Sequence, residues 1–276
     1  MYLNSLLQEK LTEFNHTKSK LTILTGAGLS ADSGIPTFRD QDGYWTVGSV
    51  NYTPAEMGTL RMFSQKPLEV WKWCLYRQAV ISNALPNIGH YAIKELEDIF
   101  EERFTLITQN VDGLHFKAQS SRDRTYLIHG TLERSRCGNE CSEELYPFPN
   151  FSIHKNDKLT AAQIKKLKCI KCGHYLRPHV LWFDELYNEK QFKLESSLRT
   201  ANETGLLLII GSSGATTLPQ RIVDCVIKNQ GMIIDINPNE NYFSTLVTKY
   251  NNGYSLKGKS SEVLPEIVQL FKSLKV

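Results

Sequence analysis

The chain of 276 residues is long enough for one large domain, or for one domain carrying a smaller insertion. Its 41% hydrophobic and 22% charged residues give it the makeup of a packed core, which excludes a disordered chain. Lys and Arg total 32 against 29 Asp and Glu, and the resulting charge of +3 lacks the electrostatic footprint of a nucleic-acid binder while leaving room for a lysine-bearing protein partner.

The first residues carry Leu3, Leu6, Leu7, Leu11 and Phe14 at helical spacing, interrupted throughout by polar side chains. They lack the basic start and continuous apolar stretch of a secretory signal. No run approaches the ~20 apolar residues that span a bilayer. The expectation is a cytoplasmic chain with no membrane partner, acting as a monomer.

Short apolar, β-branched runs bounded by turns mark buried parallel strands. Six segments fit: Leu21–Thr25, Phe104–Thr108, Thr125–Ile128, Leu206–Ile210, Met232–Ile236 and, more weakly, Tyr254–Lys257. Helical patterns separate most of them, such as Pro86–Arg103 and Val263–Leu274. Strands alternating with helices predict an α/β fold, a Rossmann-like parallel sheet with helices on both faces. Two stretches break the alternation. Trp45–Ser82 reads as helical with no clear strand, and Leu132–Arg177 is polar with no long apolar run. The expected division is therefore a Rossmann-like domain from residues 1–44, 83–131 and 178–276, with residues 45–82 and 132–177 forming a smaller helical and metal-binding domain.

The first strand runs into Gly26-Ala27-Gly28-Leu29-Ser30-Ala31. Glycines permit a tight turn and a close backbone approach to a phosphate, and a following helix offers free N–H groups. Alone, such a loop is as readily a plain glycine turn. It continues, however, as Ser33-Gly34-Ile35-Pro36-Thr37-Phe38-Arg39, where a hydride-transferring dehydrogenase would run into a helix and a second strand ending in an acidic residue. A dinucleotide can bind here without redox chemistry.

Further polar groups stand at strand ends, where open α/β sheets bind ligands. Gln109-Asn110-Val111-Asp112 follows Phe104–Thr108, and an amide and a carboxylate there can hold a carboxamide and ribose hydroxyls, or simply cap the next helix. His129 follows Thr125–Ile128 and precedes Gly130. Imidazole titrates near neutrality, so His129 can accept a proton from a hydroxyl, or can be a structural histidine. Cys137-x3-Cys141 and Cys169-x2-Cys172 are separated by 27 residues. Two such pairs close a tetrahedron around zinc and leave no open position, so the site would be structural; free thiols or two disulfides are the alternatives. Cys225 lies in a helical pattern and is expected in the core.

Taken in order, these motifs resemble the sirtuins. Gly26-Ala27-Gly28-x-Ser30-x-x-Ser33-Gly34-Ile35-Pro36-x-Phe38-Arg39 is similar to their cofactor loop, Gln109-Asn110-Val111-Asp112-Gly113-Leu114-His115 to their second signature, and Ile128-His129-Gly130 to their catalytic segment. Gly211-Ser212-Ser213 stands where they usually have Gly-Thr-Ser, Ile236-Asn237 resembles their ribose-binding asparagine, and Glu262-Val263-Leu264-Pro265 resembles their C-terminal signature, with Ser260 just before it. The resemblance spans roughly residues 20 to 270. It implies NAD and zinc as cofactors, and removal of an acyl group, acetyl before others, from protein lysine, with nicotinamide and O-acyl-ADP-ribose as products. It implies His129 as catalytic base with Asn110 beside it. Gly26, Ala27, Gly28, Ser30, Phe38, Arg39, Gln109, Asp112, Gly211, Ser212, Ser213, Asn237 and Ser260 would bind cofactor.

Arg177–Glu185 resembles the family's substrate segment, where an acyl-lysine peptide adds as a strand; Val180, Trp182 and Phe183 are its candidates, or else core residues at the domain junction. The family's Phe-Gly-Glu is Phe183-Asp184-Glu185 here, which puts the local backbone in question. Desuccinylase-like sirtuins present Tyr-x-x-Arg to the acyl carboxylate; the corresponding residues are Cys74 and Arg77. An ADP-ribosyltransferase, an NAD hydrolase and a non-catalytic NAD-binding module are the competing classes.

Overall fold

The computed structural model describes residues 2–36, 45–47, 50–151, 153–154 and 157–275. In chain order its strands are β1 (Lys20–Thr25), β2 (Trp45–Val47), β3 (Val50–Tyr52), β4 (Phe104–Thr108), β5 (Thr125–Leu127), β6 (Gly130–Cys137), β7 (Tyr146–Pro147), β8 (Leu176–Val180), β9 (Thr204–Ile210), β10 (Met232–Ile236) and β11 (Gly253–Leu256). Six of them form a parallel sheet in the order β11-β10-β9-β1-β4-β5. These are the six segments expected from the sequence, with ends moved by one or two residues.

The reason is visible along β9. Leu206, Leu208 and Ile210 face one core, with Leu7, Leu96 and Phe271 from the helices Ser5–Asn15, Ile88–Phe100 and Ser260–Ser273. Leu207 and Ile209 face the other, with Ala201, Ile222 and Phe243 from Leu194–Asn202, Thr217–Lys228 and Tyr242–Val247. Side chains alternate faces along a strand, so a strand covered on both sides must be apolar at every position. Each fully buried Leu or Ile contributes about 1.5–3 kcal/mol relative to exposure.

Register then sets the level of the loops. Thr25 lies opposite both Thr108 and Ile210, Ile210 lies opposite Ile236, and Thr108 lies opposite Leu127. Gly26, Gln109, Gly211 and Asn237 therefore all begin at the same carboxyl edge, with His129 two residues past the end of β5. The chain fills the sheet from β1 toward β5 and then from β9 toward β11, so the strand order reverses beside β1. Ligands of open α/β sheets bind in the crevice at that reversal.

A second core holds Trp45, Phe63, Trp71, Trp73, Leu132, Leu167 and Trp182. It gathers the hairpin β2–β3, the helices Pro54–Met57, Leu60–Gln65 and Pro67–Asn83, and an antiparallel sheet in the order β7-β6-β8. Trp71 Nε1 donates to the Leu176 carbonyl at 2.6 Å and ties the long helix to β8. The expectation of no clear strand in residues 45–82 is corrected by β2 and β3. These are three residues each, with only Trp45 buried, so no alternation marks them. β6 escaped for another reason: its buried positions include Ser135 and Arg136, the latter paired with Glu140 at 2.9 Å. No helix among the described residues is long and apolar enough to cross a membrane.

Candidate active site and metal centre

Two glycine turns meet back to back at the edge of the sheet. A Cβ on Gly26 would meet the Gly211 carbonyl oxygen at 2.7 Å, one on Gly28 the Gly211 Cα at 2.8 Å, and one on Gly211 the Leu29 nitrogen at 2.4 Å. Gly211 is also in the left-handed region, at φ +60°. The Gly28 N–H donates to the Gly211 carbonyl at 2.9 Å, so the turn after β1 and the turn after β9 form one backbone surface. Ala27, at its crest, precedes the short helix Gly28–Ala31 with no side-chain cap.

Polar side chains extend from this surface in two connected groups. Gln109 Nε2 donates to Ser212 Oγ at 2.8 Å, Thr216 Oγ1 donates to Gln109 Oε1 at 3.2 Å, and Asn237 Nδ2 donates to the Ser212 carbonyl at 3.3 Å. On the other side of β1, Asn110 Nδ2 donates to the Gly26 carbonyl at 3.0 Å and to Ser30 Oγ at 3.2 Å, and Ser30 Oγ donates to Asp112 Oδ2 at 2.7 Å. Asp112 also accepts the Leu114 N–H at 2.9 Å, so it does the helix-capping work and keeps its place in the cluster. Burial pushes the Asp112 carboxyl upward, against the hydrogen bonds that lower it. Ser213 follows Ser212 on the Gly211 turn, and Ser260 opens its helix beside Gly89 and Leu29. Phe38 and Arg39 lie outside the described residues.

His129 stands next to Gln109. Burial lowers its pKa to about 4, and a hydrogen bond to the Gln109 backbone works the other way. Its ring is neutral near pH 7 and able to take a proton. Gly130 is required behind it: at φ +78°, a Cβ there would run into the His179 carbonyl oxygen at 2.0 Å. The dyad His129-Gly130 is thus the point where the chain leaves the parallel sheet and enters β6.

β6 ends on Cys137, and the four cysteines of the sequence pattern come together. Cys137 and Cys172 sulfurs are 3.5 Å apart, Cys141 and Cys169 sulfurs 3.6 Å, and all four lie within 4.8 Å of one another. A disulfide needs about 2.05 Å. Four thiolates at roughly 2.3 Å from zinc stand roughly 3.8 Å apart. The set fits a tetrahedral zinc site. Burial pushes the Cys169 thiol up, but the backbone N–H groups of Cys172 and Lys171 with hydrogen bonds from Cys141 and Cys137 bring it down to about 6, while its neighbour Cys141 is pushed up to about 12, so the four sulfurs share their protons. Cys225 is half-buried against the core of Leu207, Ile209 and Ile222.

Residues 26–217 match the family model described as the Sir2 family. An NAD-dependent protein deacylase of Leptospira interrogans (serogroup Icterohaemorrhagiae serovar Lai) is 37% identical over 266 residues, 95% of this chain and 97% of that one. The chain belongs to the Sir2 family. NAD-dependent protein deacylase 1 of Archaeoglobus fulgidus is 36% identical over 264 residues, again 95% and 97% of the two chains. A Sir2 homologue in complex with NAD has the same fold, with a TM-score of 0.80 at 33% identity, covering 99% of this chain and 95% of that chain.

Two departures from the family's pattern, at Asp184 and Cys74, can now be located. Asp184, in place of the expected glycine, is not in the left-handed region, so it forces no strain. Its carboxylate accepts the N–H groups of Leu60 at 2.6 Å and Arg61 at 3.1 Å, at the start of helix Leu60–Gln65. Val180 and Trp182 are buried; Trp182 stacks on Phe63 with ring centroids 6.2 Å apart, whereas Phe183 is 56% exposed. Cys74 is buried and its thiol is pushed up to about 12, so it stays neutral. Arg77 is half-buried over the Trp73 ring and lines a small cavity with Ala27, Ser30, Asn110 and Asp112. A further contact of the site was not singled out from the sequence. The Tyr187 hydroxyl lies 2.8 Å from His129 Nε2. A tyrosine in an irregular segment, 58 residues from its partner, leaves no periodic signal.

Proposed function

We infer that this Sir2-family chain is an NAD-dependent protein deacylase that frees lysine side chains of acyl groups and releases nicotinamide and O-acyl-ADP-ribose. The observation that carries it is the junction at the sheet edge: a neutral imidazole directly beside the amides, carboxylate and glycine turns that suit a dinucleotide. NAD, when bound, supplies the ribose that accepts the acyl group as its bond to nicotinamide breaks.

The chain's own residues divide the remaining work. The paired turns at Gly26–Gly28 and Gly211–Ser213 offer backbone to the phosphates, with Arg39 as their cationic partner. Asn237, Ser212 and Ser260 hold the adenosine half. Gln109, Asn110, Ser30 and Asp112 orient the nicotinamide half through directed hydrogen bonds. Phe38 shields the ribose from water. His129 takes a proton from a ribose hydroxyl at Nε2. Val180, Trp182 and Phe183 form the edge on which the acyl-lysine peptide adds as a strand. Zinc on Cys137, Cys141, Cys169 and Cys172 holds the small antiparallel sheet and takes no part in the reaction. The division into a Rossmann-like domain and a smaller domain of residues 45–82 and 132–177, the monomeric state, a cytoplasmic location and the absence of nucleic-acid or membrane partners belong to the same reading.

The acyl preference follows from Cys74 and Arg77. A buried neutral thiol replaces the hydroxyl that would help hold an acidic acyl group, and Arg77 already answers to Asp112. Acetyl and other neutral groups are preferred. A panel of acyl-lysine peptides, scored for NAD-dependent product formation, tests the whole reading. Nicotinamide release without any acyl-lysine would instead indicate an NAD hydrolase or a transferase with another acceptor, and binding without turnover a non-catalytic module.

A further inference from the structure

The segment from Leu181 to Tyr187 is fastened along its length. The Leu181 N–H donates to the His129 carbonyl at 3.0 Å, and the Phe183 N–H to the Gly58 carbonyl at 2.8 Å. Asp184 holds the Leu60 and Arg61 N–H groups, and Glu185 accepts from Arg177 and from the Trp182 N–H. The strap that begins on the His129 backbone ends on its ring: Tyr187 Oη is 2.8 Å from Nε2, with the two rings 5.8 Å apart. Thr216, which donates to Gln109 Oε1, also stands beside the phenol, so Tyr187 lies between the base and the cofactor turns.

The direction of the bond is set. Burial raises the phenol to about 12 and lowers the imidazole to about 4, so near neutrality both are neutral; with the other ring nitrogen donating to the Gln109 backbone, Nε2 accepts and the O–H donates. A neutral imidazole has a single acceptor nitrogen. The Gln109 backbone engages the ring as well, and the nitrogen that remains basic is the one the tyrosine holds. A ribose hydroxyl needs that same lone pair to pass its proton to the base.

We infer that Tyr187 is a positioning residue of this site: its hydroxyl holds His129 Nε2 in the ligand-free protein and yields it to the ribose hydroxyl on binding. This rests on His129 being the base. The exchange has a consequence for order of events. Tyr187 sits at the end of the segment on which the acyl peptide is proposed to add, so peptide addition and exposure of Nε2 act on the same strap.

The test is a double-mutant cycle read by binding. ADP-ribose is titrated calorimetrically into the zinc-loaded wild-type protein, Tyr187→Phe, His129→Ala and the double variant. Removing the competing hydroxyl should tighten ADP-ribose about two- to tenfold in Tyr187→Phe. The same change should give no gain in the His129→Ala background. The His129 Nε2 nitrogen resonance should differ between ligand-free wild-type and Tyr187→Phe proteins and coincide once ADP-ribose is bound. Equal or weaker binding in Tyr187→Phe, a gain that persists without the imidazole, or an Nε2 resonance indifferent to the substitution each overturns the proposal. A kcat loss of tenfold or more in Tyr187→Phe with unchanged ADP-ribose affinity also overturns it, because the tyrosine would then stay on the base through turnover. The base assignment is read separately: near-normal turnover by His129→Ala removes it, and the purpose of the exchange with it, whatever the binding cycle gives.

Discussion

The carboxyl edge of the parallel sheet and the small antiparallel sheet solve the same problem, holding polar groups at fixed spacing, by different means. At the edge, Gly26, Gln109, Gly211 and Asn237 are placed by strand register, and register is held by strands buried on both faces. In the small sheet, β6 and β8 break register between Thr131 and Ser135, and much of the chain around them is polar. There the positions of Cys137, Cys141, Cys169 and Cys172 depend on one another through a metal. The first kind of site tolerates loss of any one side chain without losing its frame. The second does not.

The sharpest way to break this contrast is to remove zinc. Structural zinc contributes apparent binding energies of about 10–16 kcal/mol in small zinc-finger peptides, and that energy is folding energy. One zinc per chain is expected in protein purified without chelator. After chelation, hydrogen exchange should quicken across β6–β8 while β1, β4, β9 and β10 keep their protection. Absence of zinc, or full activity with all four cysteines replaced, would remove the distinction.

Both regions share an acid weakness. Burial lowers His90 and His129 to about 4, lowers His115 well below its ordinary value, and lowers His179 to about 4 with help from Arg136 and Arg177. A histidine whose folded pKa lies below its unfolded value near 6.5 stabilises the fold fully above that value, and the contribution is lost as pH falls toward the folded pKa. Each unit is worth about 1.4 kcal/mol. Asp235, raised to about 6 by burial, and Asp112 oppose this by favouring the protonated fold. Four imidazoles outweigh two carboxyls, so stability should fall between pH 6.5 and 4. Proton NMR titration checks the cause: none of the four rings should titrate near 6.5 in the folded protein.

At the edge itself, His129→Ala should cost ~100- to 10,000-fold in turnover while NAD binding largely survives, because the frame stands without the imidazole. Single-turnover rates and calorimetry together decide this; near-normal turnover would show that another group is the base.

How far the sequence disclosed each region follows from the same contrast. Strands buried on both faces must be apolar throughout, so β1, β4, β9 and β10 were legible, and the polar residues at their ends followed. The cysteine spacing was legible because metal geometry restricts it. β2 and β3 were not, being three residues long with one buried side chain between them, and β6 was not, because Arg136 is buried through a salt bridge rather than by apolarity. The Ser30–Asp112 and Tyr187–His129 contacts join residues 82 and 58 positions apart, and only the folded chain brings them together.

The proposed acyl preference sharpens the comparison further, since Arg77 from helix Pro67–Asn83 shares its cavity with Ala27, Ser30, Asn110 and Asp112 of the sheet edge. A hydrogen bond to a charged group is worth about 1.5–3 kcal/mol, so replacing a tyrosine hydroxyl by the Cys74 thiol should weaken acidic acyl groups roughly ten- to a hundredfold. Matched acetyl- and succinyl-lysine peptides should give kcat/KM values at least equal for acetyl. A strong succinyl preference abolished by Arg77→Met would mean that the arginine suffices alone.

The smallest effect is expected where the two regions are stitched together. Helix Leu60–Gln65 has its Met62 N–H satisfied by Thr59 at 3.0 Å, but its first two N–H groups have no acceptor within the helix. Asp184 supplies both, from a segment distant in the chain, and its negative charge suits a helix start. The carboxylate is exposed, so the charge itself is screened and the oxygen contacts matter more. Losing a side-chain cap costs about 0.5–2 kcal/mol. Asp184→Gly, which installs the residue expected from the family, should therefore speed exchange of the Leu60 and Arg61 amides by roughly two- to thirtyfold. It should also raise the KM for acyl peptide more than it lowers kcat, because Phe183 and the peptide edge lose their anchor while His129 keeps its own. Asp184→Asn retains an acceptor oxygen without the charge and should recover most of both effects. Amide exchange at Leu60 and Arg61 unchanged in Asp184→Gly would show that the contact carries no load.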